Sequence, residues 1–188
     1  LWNNTNNNFY PDLNSDNELD FTQNGNFRER GDINPIGSSP GDIQIEGRQG
    51  QSIRFTGGVS FSNPWVNNTN IGSPMIIISN GQINTDRGYT TIGEDINGDD
   101  SSIYLTSDHS IPLEESSDKR DAYDEVPTKA SEFKGSQIMF NADRLFLNSR
   151  NNDIQLTSKE SIGLTSLTSI NLDSKDYMCL DGSQIFLG

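Results

Sequence analysis

The sequence predicts an all-β, fibrous fold, a β-helix or β-prism shaft preceded by an extended linker. Three observations carry that prediction. Between Gln137 and Gly188 the apolar residues fall into seven i, i+2 pairs: Ile138/Phe140, Leu145/Leu147, Ile154/Leu156, Ile162/Leu164, Ile170/Leu172, Met178/Leu180 and Ile185/Leu187. Their first members are 7, 9, 8, 8, 8 and 7 residues apart. A helix would repeat its apolar residues every 3.6 positions, whereas a pair at period 2 belongs to a short strand. Secondly, a small polar signature follows most pairs, as at Asn141-Ala142, Thr157-Ser158, Thr165-Ser166 and Asp181-Gly182, which suits a corner after each strand. Thirdly, only 31% of residues are hydrophobic and mean hydropathy is −0.66, too little for a large round core. Disorder does not follow, because the apolar residues are periodic. A single repeat cannot bury its own apolar face, and only a stack can.

Taken in order, residues 1–40 are Asn-, Asp- and Gly-rich and show neither period. They read as an extended linker with aromatic anchors at Trp2, Phe9, Tyr10, Phe21 and Phe27, which must dock on something to be ordered. Residues 41–113 begin the shaft. Ile43-Gln44-Ile45 and Ile53-Arg54-Phe55 alternate as strands about a reversal containing Gly47 and Gly50, where positive φ is accessible to glycine. Met75-Ile76-Ile77-Ile78 followed by Ser79-Asn80-Gly81 is a further strand and turn. Ile103-Tyr104-Leu105 states the repeat in full, and Ile111/Leu113 restates it eight residues on. Residues 114–136, charged, aperiodic and containing Pro127, form an inserted surface loop. Residues 137–188 are the octad repeat. The expected structural core of the shaft is therefore Ile103, Leu105, Ile111, Leu113 and the members of the seven pairs.

Net charge is −14, which disfavours nucleic acid or an anionic membrane surface as a partner and keeps a strand-rich object soluble. Cys179 is the only cysteine, so no disulfide can form within the chain; period 2 points it away from Met178 and Leu180. No apolar run is long enough for a membrane-spanning helix. The chain opens on Leu1-Trp2 and closes on Ile185-Phe186-Leu187-Gly188 in mid-rhythm, which predicts further sequence at both ends.

Nothing marks an enzyme, a metal site or a cofactor site. Glu114, Glu115, Asp121, Asp124 and Glu125 lie in the charged loop without the facing geometry that glycan hydrolysis needs. The run Asp95-Ile96-Asn97-Gly98-Asp99-Asp100 has alternate oxygen ligands but departs from the calcium-loop pattern at Asp100 and Thr106, and reads as a polar turn. His109, beside Ser110, has no visible orienting group and is expected to face solvent. Asn3-Asn4-Thr5 and Asn67-Asn68-Thr69 match the glycosylation sequon, as chance allows in so Asn-rich a chain.

The most specific run is Gly41-Asp42-Ile43-Gln44-Ile45-Glu46-Gly47-Arg48-Gln49-Gly50-Gln51-Ser52-Ile53-Arg54-Phe55. With Glu94-Asp95-Ile96-Asn97, Ser101-Ser102-Ile103-Tyr104-Leu105-Thr106-Ser107, Ile111-Pro112-Leu113 and Ser158-Lys159-Glu160-Ser161-Ile162-Gly163-Leu164, it resembles the baseplate hub, or central spike, proteins of T-even-like contractile-tailed phages, cyanophage forms above all. The resemblance spans the chain and is densest over 41–113 and 137–188. It implies an intertwined homotrimeric triple-stranded β-helix, with tail hub or tube proteins at the N-terminal side and a separate tip protein at the C-terminal side. It also implies transient contact with the host envelope and a place on the axis of the virion's tail baseplate. An oligonucleotide-binding-type barrel precedes the spike in that family, and Leu1-Trp2-Asn3 looks like the exit from it. A lysozyme domain found in one relative has no counterpart here, so lytic activity is not carried over. The physics points the same way: two inward side chains per octad are a thin core for one chain, and three chains close a prism without a free edge. The expectation is a structural spike that pierces the envelope mechanically. The competing expectations are a type VI-like secretion spike, a glycan-cleaving tailspike and a passive receptor-binding fibre.

Overall fold

A computed structural model describes residues 33–57, 72–83, 91–121, 123 and 125–185. The aromatic anchors of the linker, the sequon at Asn67, and Leu187 lie outside the described residues. The ordered centre is a five-stranded antiparallel sheet, β1 (Ile43–Glu46), β2 (Ser52–Thr56), β3 (Met75–Asn80), β4 (Ser101–Thr106) and β5 (Gln137–Ala142), in the order β1-β2-β3-β4-β5. Each strand pairs with its sequence neighbour, so the sheet is a meander. The all-β expectation holds for the described residues, which contain no helix.

β1 and β2 form where apolar residues alternate with polar ones, and β3 along the β-branched run Ile76-Ile77-Ile78, both suited to a pleated surface. The β1–β2 reversal closes through Gly47 N–H donating to Gln51 O (2.7 Å), and Gly50 takes a φ of +87° that a side chain would strain. Of the two glycines expected there to supply positive φ, Gly50 does so and Gly47 does not.

The register sorts the side chains into faces, because successive residues in a strand point to opposite sides. Cross-strand partners run Ile43–Phe55–Ile76–Leu105–Ile138 in one column and Ile45–Ile53–Ile78–Ile103–Phe140 in a second. These two columns of the front face are wholly apolar, and Asn80–Ser101–Ala142 form a shorter, partly polar column at one end of it. The back face carries Gln44–Arg54–Ile77–Tyr104–Met139 along its middle, flanked by Ser52–Ser79–Ser102–Asn141 and Thr56–Met75–Thr106–Gln137.

Residues 33–37, 91–99 and 107–115 pass across the back and bury it. The core there comprises Met75, Ile77, Ile96, Tyr104, Ile111 and Met139, with Leu113 and Ala130 packed against it. The expectation that Ile111/Leu113 continues the repeat of Ile103/Leu105 is therefore corrected. Ile111 is fully buried behind the sheet, whereas Ile103 and Leu105 lie on the front. The chain turns at Ser107-Asp108 and folds back, so an eight-residue interval does not keep these pairs on one face.

Asn97 fastens this back layer. Its side chain donates to Pro112 O (2.7 Å) and accepts from Glu114 N–H (2.9 Å). The 114–136 insertion lies between β4 and β5, with Glu115 paired to Arg120 and also accepting from Ala130 N–H. Beyond β5, residues 143–185 contain neither helix nor strand. Their backbone bends at 143, 150–152, 159–160, 167–168, 175–176 and 183, about every eight residues, but the short strands expected between the corners are not formed in this single chain.

Candidate functional site

The front face is the outstanding feature of the surface. The ten side chains of its two apolar columns are all exposed or half-exposed, reaching 64% for Ile43 on one edge strand and 63% for Ile138 on the other. Along β2 the chain buries Ser52, Arg54 and Thr56 while leaving Ile53 and Phe55 in the open. That inversion of the usual rule marks a face made to be covered, since scattered exposed apolar residues are ordinary but a contiguous patch of this size is not.

The octads continue the same condition. Leu145, Leu147, Ile154, Leu156, Ile162, Leu164, Ile170, Leu172, Met178, Leu180 and Ile185 are all exposed. Among the described residues from 143 to 185, no backbone N–H bonds a backbone carbonyl of the chain. A segment with strand-period apolar pairs and unused backbone groups offers an edge on which another strand can pair. Of the expected shaft residues, the sheet brings Ile103, Leu105, Ile138 and Phe140 together on the front. The octad pairs follow them along the chain, and Ile111 and Leu113 sit apart.

Behind the sheet lies a buried charge cluster that sequence reading missed. Arg54, with no exposed surface, projects from the middle of β2. Its Nε lies 2.8 Å from Glu94 Oε1, its Nη1 is 3.4 Å from Asp42 Oδ2, and its Nη2 donates to Gly37 O at 2.8 Å. Next to it, Ser79 Oγ donates to Asp99 Oδ2 (2.5 Å), which also accepts from Asp95 N–H (3.2 Å). The Asp95–Asp99 turn thus aims one carboxylate inward. Residue type could have given a hint, since Arg54 is a lone cation between two apolar residues and lies opposite Gln44.

Burial raises the Glu94 carboxyl above its ordinary value, although Arg54 pulls the other way. Asp99 is raised too, chiefly by burial, with the Ser79 hydrogen bond opposing. Burial likewise pushes the Tyr104 phenol up, with the charges of Asp99, Glu94 and Asp95 adding to it. A raised carboxyl binds its proton more tightly folded than unfolded. The associated stability is fully present below the ordinary carboxylate range and is lost as pH rises through the raised value. The melting temperature should therefore climb as pH falls from neutrality toward the ordinary carboxylate range. Glu94→Gln, neutral throughout, should flatten that climb, so the gap in melting temperature between parent and variant shifts with pH. Parallel profiles would exclude this role for Glu94.

His109 corrects the sequence expectation that it faces solvent. It is fully buried, its Nε2 lying 3.0 Å from Ser73 O. A carbonyl can only accept, so Nε2 carries the proton. Cys179 is exposed and unpaired by disulfide. Among the described residues no group of three or more His, Cys, Asp or Glu side chains could hold a metal ion, and no helix is long and apolar enough to cross a membrane.

Comparisons with protein-family models, with curated proteins and with solved structures gave no match. These features define, for the described residues, an all-β class with one covered face of mixed polar and apolar residues and one uncovered, largely apolar face, followed along the chain by an unpaired octad repeat.

Proposed function

We propose that this chain is one of three identical strands of an axial spike, a structural element of a contractile phage tail that pierces a cell envelope when the sheath contracts. One observation carries the reading: the ten-residue apolar front of the sheet is uncovered and is followed by octad pairs that are equally uncovered and lack backbone partners. Three copies that turn these faces to a common axis bury the front, pair the octads with one another and leave the back layer outside. Each octad then supplies two side chains per chain, six per layer, to a core that no single chain can close. The resemblance of the 41–113 and 137–188 segments to baseplate spikes supports the assignment of place and role. Stiffness follows from laddered strands, and solubility from the net charge of −14. The functional residues are the apolar pairs, and no catalytic step is invoked.

Position in the particle tests the assignment. A gold-labelled antibody against this chain should mark the tail axis at the baseplate end of intact particles. Label on peripheral fibres instead would overturn the spike reading and favour a receptor-binding fibre.

A further inference from the structure

Residues Asn34 to Gly37 cross the back of the sheet outside its five strands, yet every backbone polar group in this stretch is engaged. Gln82 reads both groups of Asn34: Oε1 accepts from its N–H (3.0 Å) and Nε2 donates to its carbonyl (2.8 Å). Pro35 has no N–H, and its carbonyl accepts from Ile92 N–H (3.0 Å). Ile36 N–H donates to Glu46 Oε2 (3.0 Å), and Gln44 Nε2 donates to Ile36 O (3.1 Å). Gly37 N–H donates to Ile92 O (2.8 Å), and Arg54 Nη2 reaches Gly37 O.

Five of these seven bonds come from four side chains, Gln44, Glu46, Arg54 and Gln82, contributed by β1, β2 and the segment after β3. Asn34 and Ile36 are buried, and Ile33 lies over Gly50, where an added Cβ would come within 3.1 Å of its Cδ1. Surface connectors ordinarily leave such groups to water. Capture of an extended segment's backbone groups, with a pocket for its apolar side chain, is how a groove recognises a peptide.

We propose that this cradle is a recognition site for an extended peptide of the form Asn-Pro-Ile-Gly, filled by the chain's own connector and able to hold it without the covalent link through Ser38–Pro40. The site suits that sequence position by position. The proline falls where no N–H is used, Ile36 is the buried apolar anchor, and the two amide bonds of Gln82 fix the register at Asn34. Arg54 is preset by Asp42 and Glu94, so little freedom remains for it to lose on holding Gly37. The inference stands on one chain and does not depend on the spike reading.

The test uses the full chain with a protease site placed at Ser38-Ser39, where Ser38 is exposed. After cleavage, gel filtration under native conditions should show the fragment ending at Ser38 eluting with the body. An excess of a synthetic peptide spanning residues 33–38 should displace it. Gln82→Leu removes both bonds to Asn34 without touching the Arg54 ion pairs and should speed release on the order of ten-fold. Ile36→Asp should release the fragment before elution. Loss of the fragment from the otherwise unaltered chain would overturn the proposal. Retention unaffected by the peptide and by both substitutions would also overturn it, because residues 1–32 would then be the ones holding on. The native mass of the body, read in the same run, reports separately on assembly.

Discussion

Replacing Ile162 by aspartate is expected to abolish assembly while leaving the five-stranded sheet intact. Ile162 is exposed in the chain and opens the octad pair Ile162/Leu164, so within one chain the substitution puts a carboxylate where water already reaches. In three chains meeting at an axis, three carboxylates would be driven together out of water. Burying an isolated carboxylate costs several kcal/mol after relaxation, and three of one sign repel as well. No basic residue occupies the neighbouring inward positions Leu156, Leu164 or Ile170 to pair with them. The readout is native mass by light scattering, expected to fall to that of one chain. A variant with unchanged mass would remove Ile162 from the core. Ser161→Asp, one position along and on the other side of a period-2 strand, is the control and should assemble normally.

The second large effect is expected at Arg54. Replacing it by methionine keeps much of its volume but leaves Glu94 and Asp42 without their cation, both side chains being almost wholly buried. Removing one partner of a buried pair typically costs about 3–5 kcal/mol, because the remaining charge is stranded. A drop of that size in urea-unfolding stability at neutral pH is expected. Adding Glu94→Gln to Arg54→Met should restore part of it, since the stranded group is then neutral. The same double variant should narrow the deficit at low pH less than Arg54→Met alone does, because Glu94 in the single variant can protonate. A loss no larger than an exposed substitution gives, within about 0.5 kcal/mol, would mean that the cluster is not structural.

The sheet was largely legible in the sequence. Ile43-Gln44-Ile45 and Ile53-Arg54-Phe55 announce strands through alternation, Met75–Ile78 and Ile103-Tyr104-Leu105 through short β-branched and aromatic runs, and Gly50 marks the reversal that the fold uses. The bends of the octad segment fall where small polar residues follow the apolar pairs, whereas the short strands expected between them do not form in the single chain. What a single chain covers was not legible. A face bearing Gln44, Ser52, Arg54 and Thr56 looks like a solvent face, since antiparallel sheets commonly set polar residues outward. Its cover comes from Ile96, in a turn with no period, and from Ile111, whose eight-residue spacing from Ile103 was misleading because the chain turns back at Ser107-Asp108. His109 was misplaced for the same reason: burial by a loop layer leaves no local pattern. The cradle around Asn34–Gly37 was hidden because its parts, Gln44, Glu46, Arg54, Gln82 and Ile92, are brought together by the meander and are scattered along the chain.

The central claim is that the apolar front and the octad pairs are covered by two further copies of the same chain. The mass of the native particle in dilute buffer, measured by sedimentation equilibrium, tests it most directly. The account predicts three times the 20.8 kDa chain mass, independent of concentration over the measured range. A folded single chain that remains at one chain mass as concentration rises, with its apolar front still open to water, would contradict it.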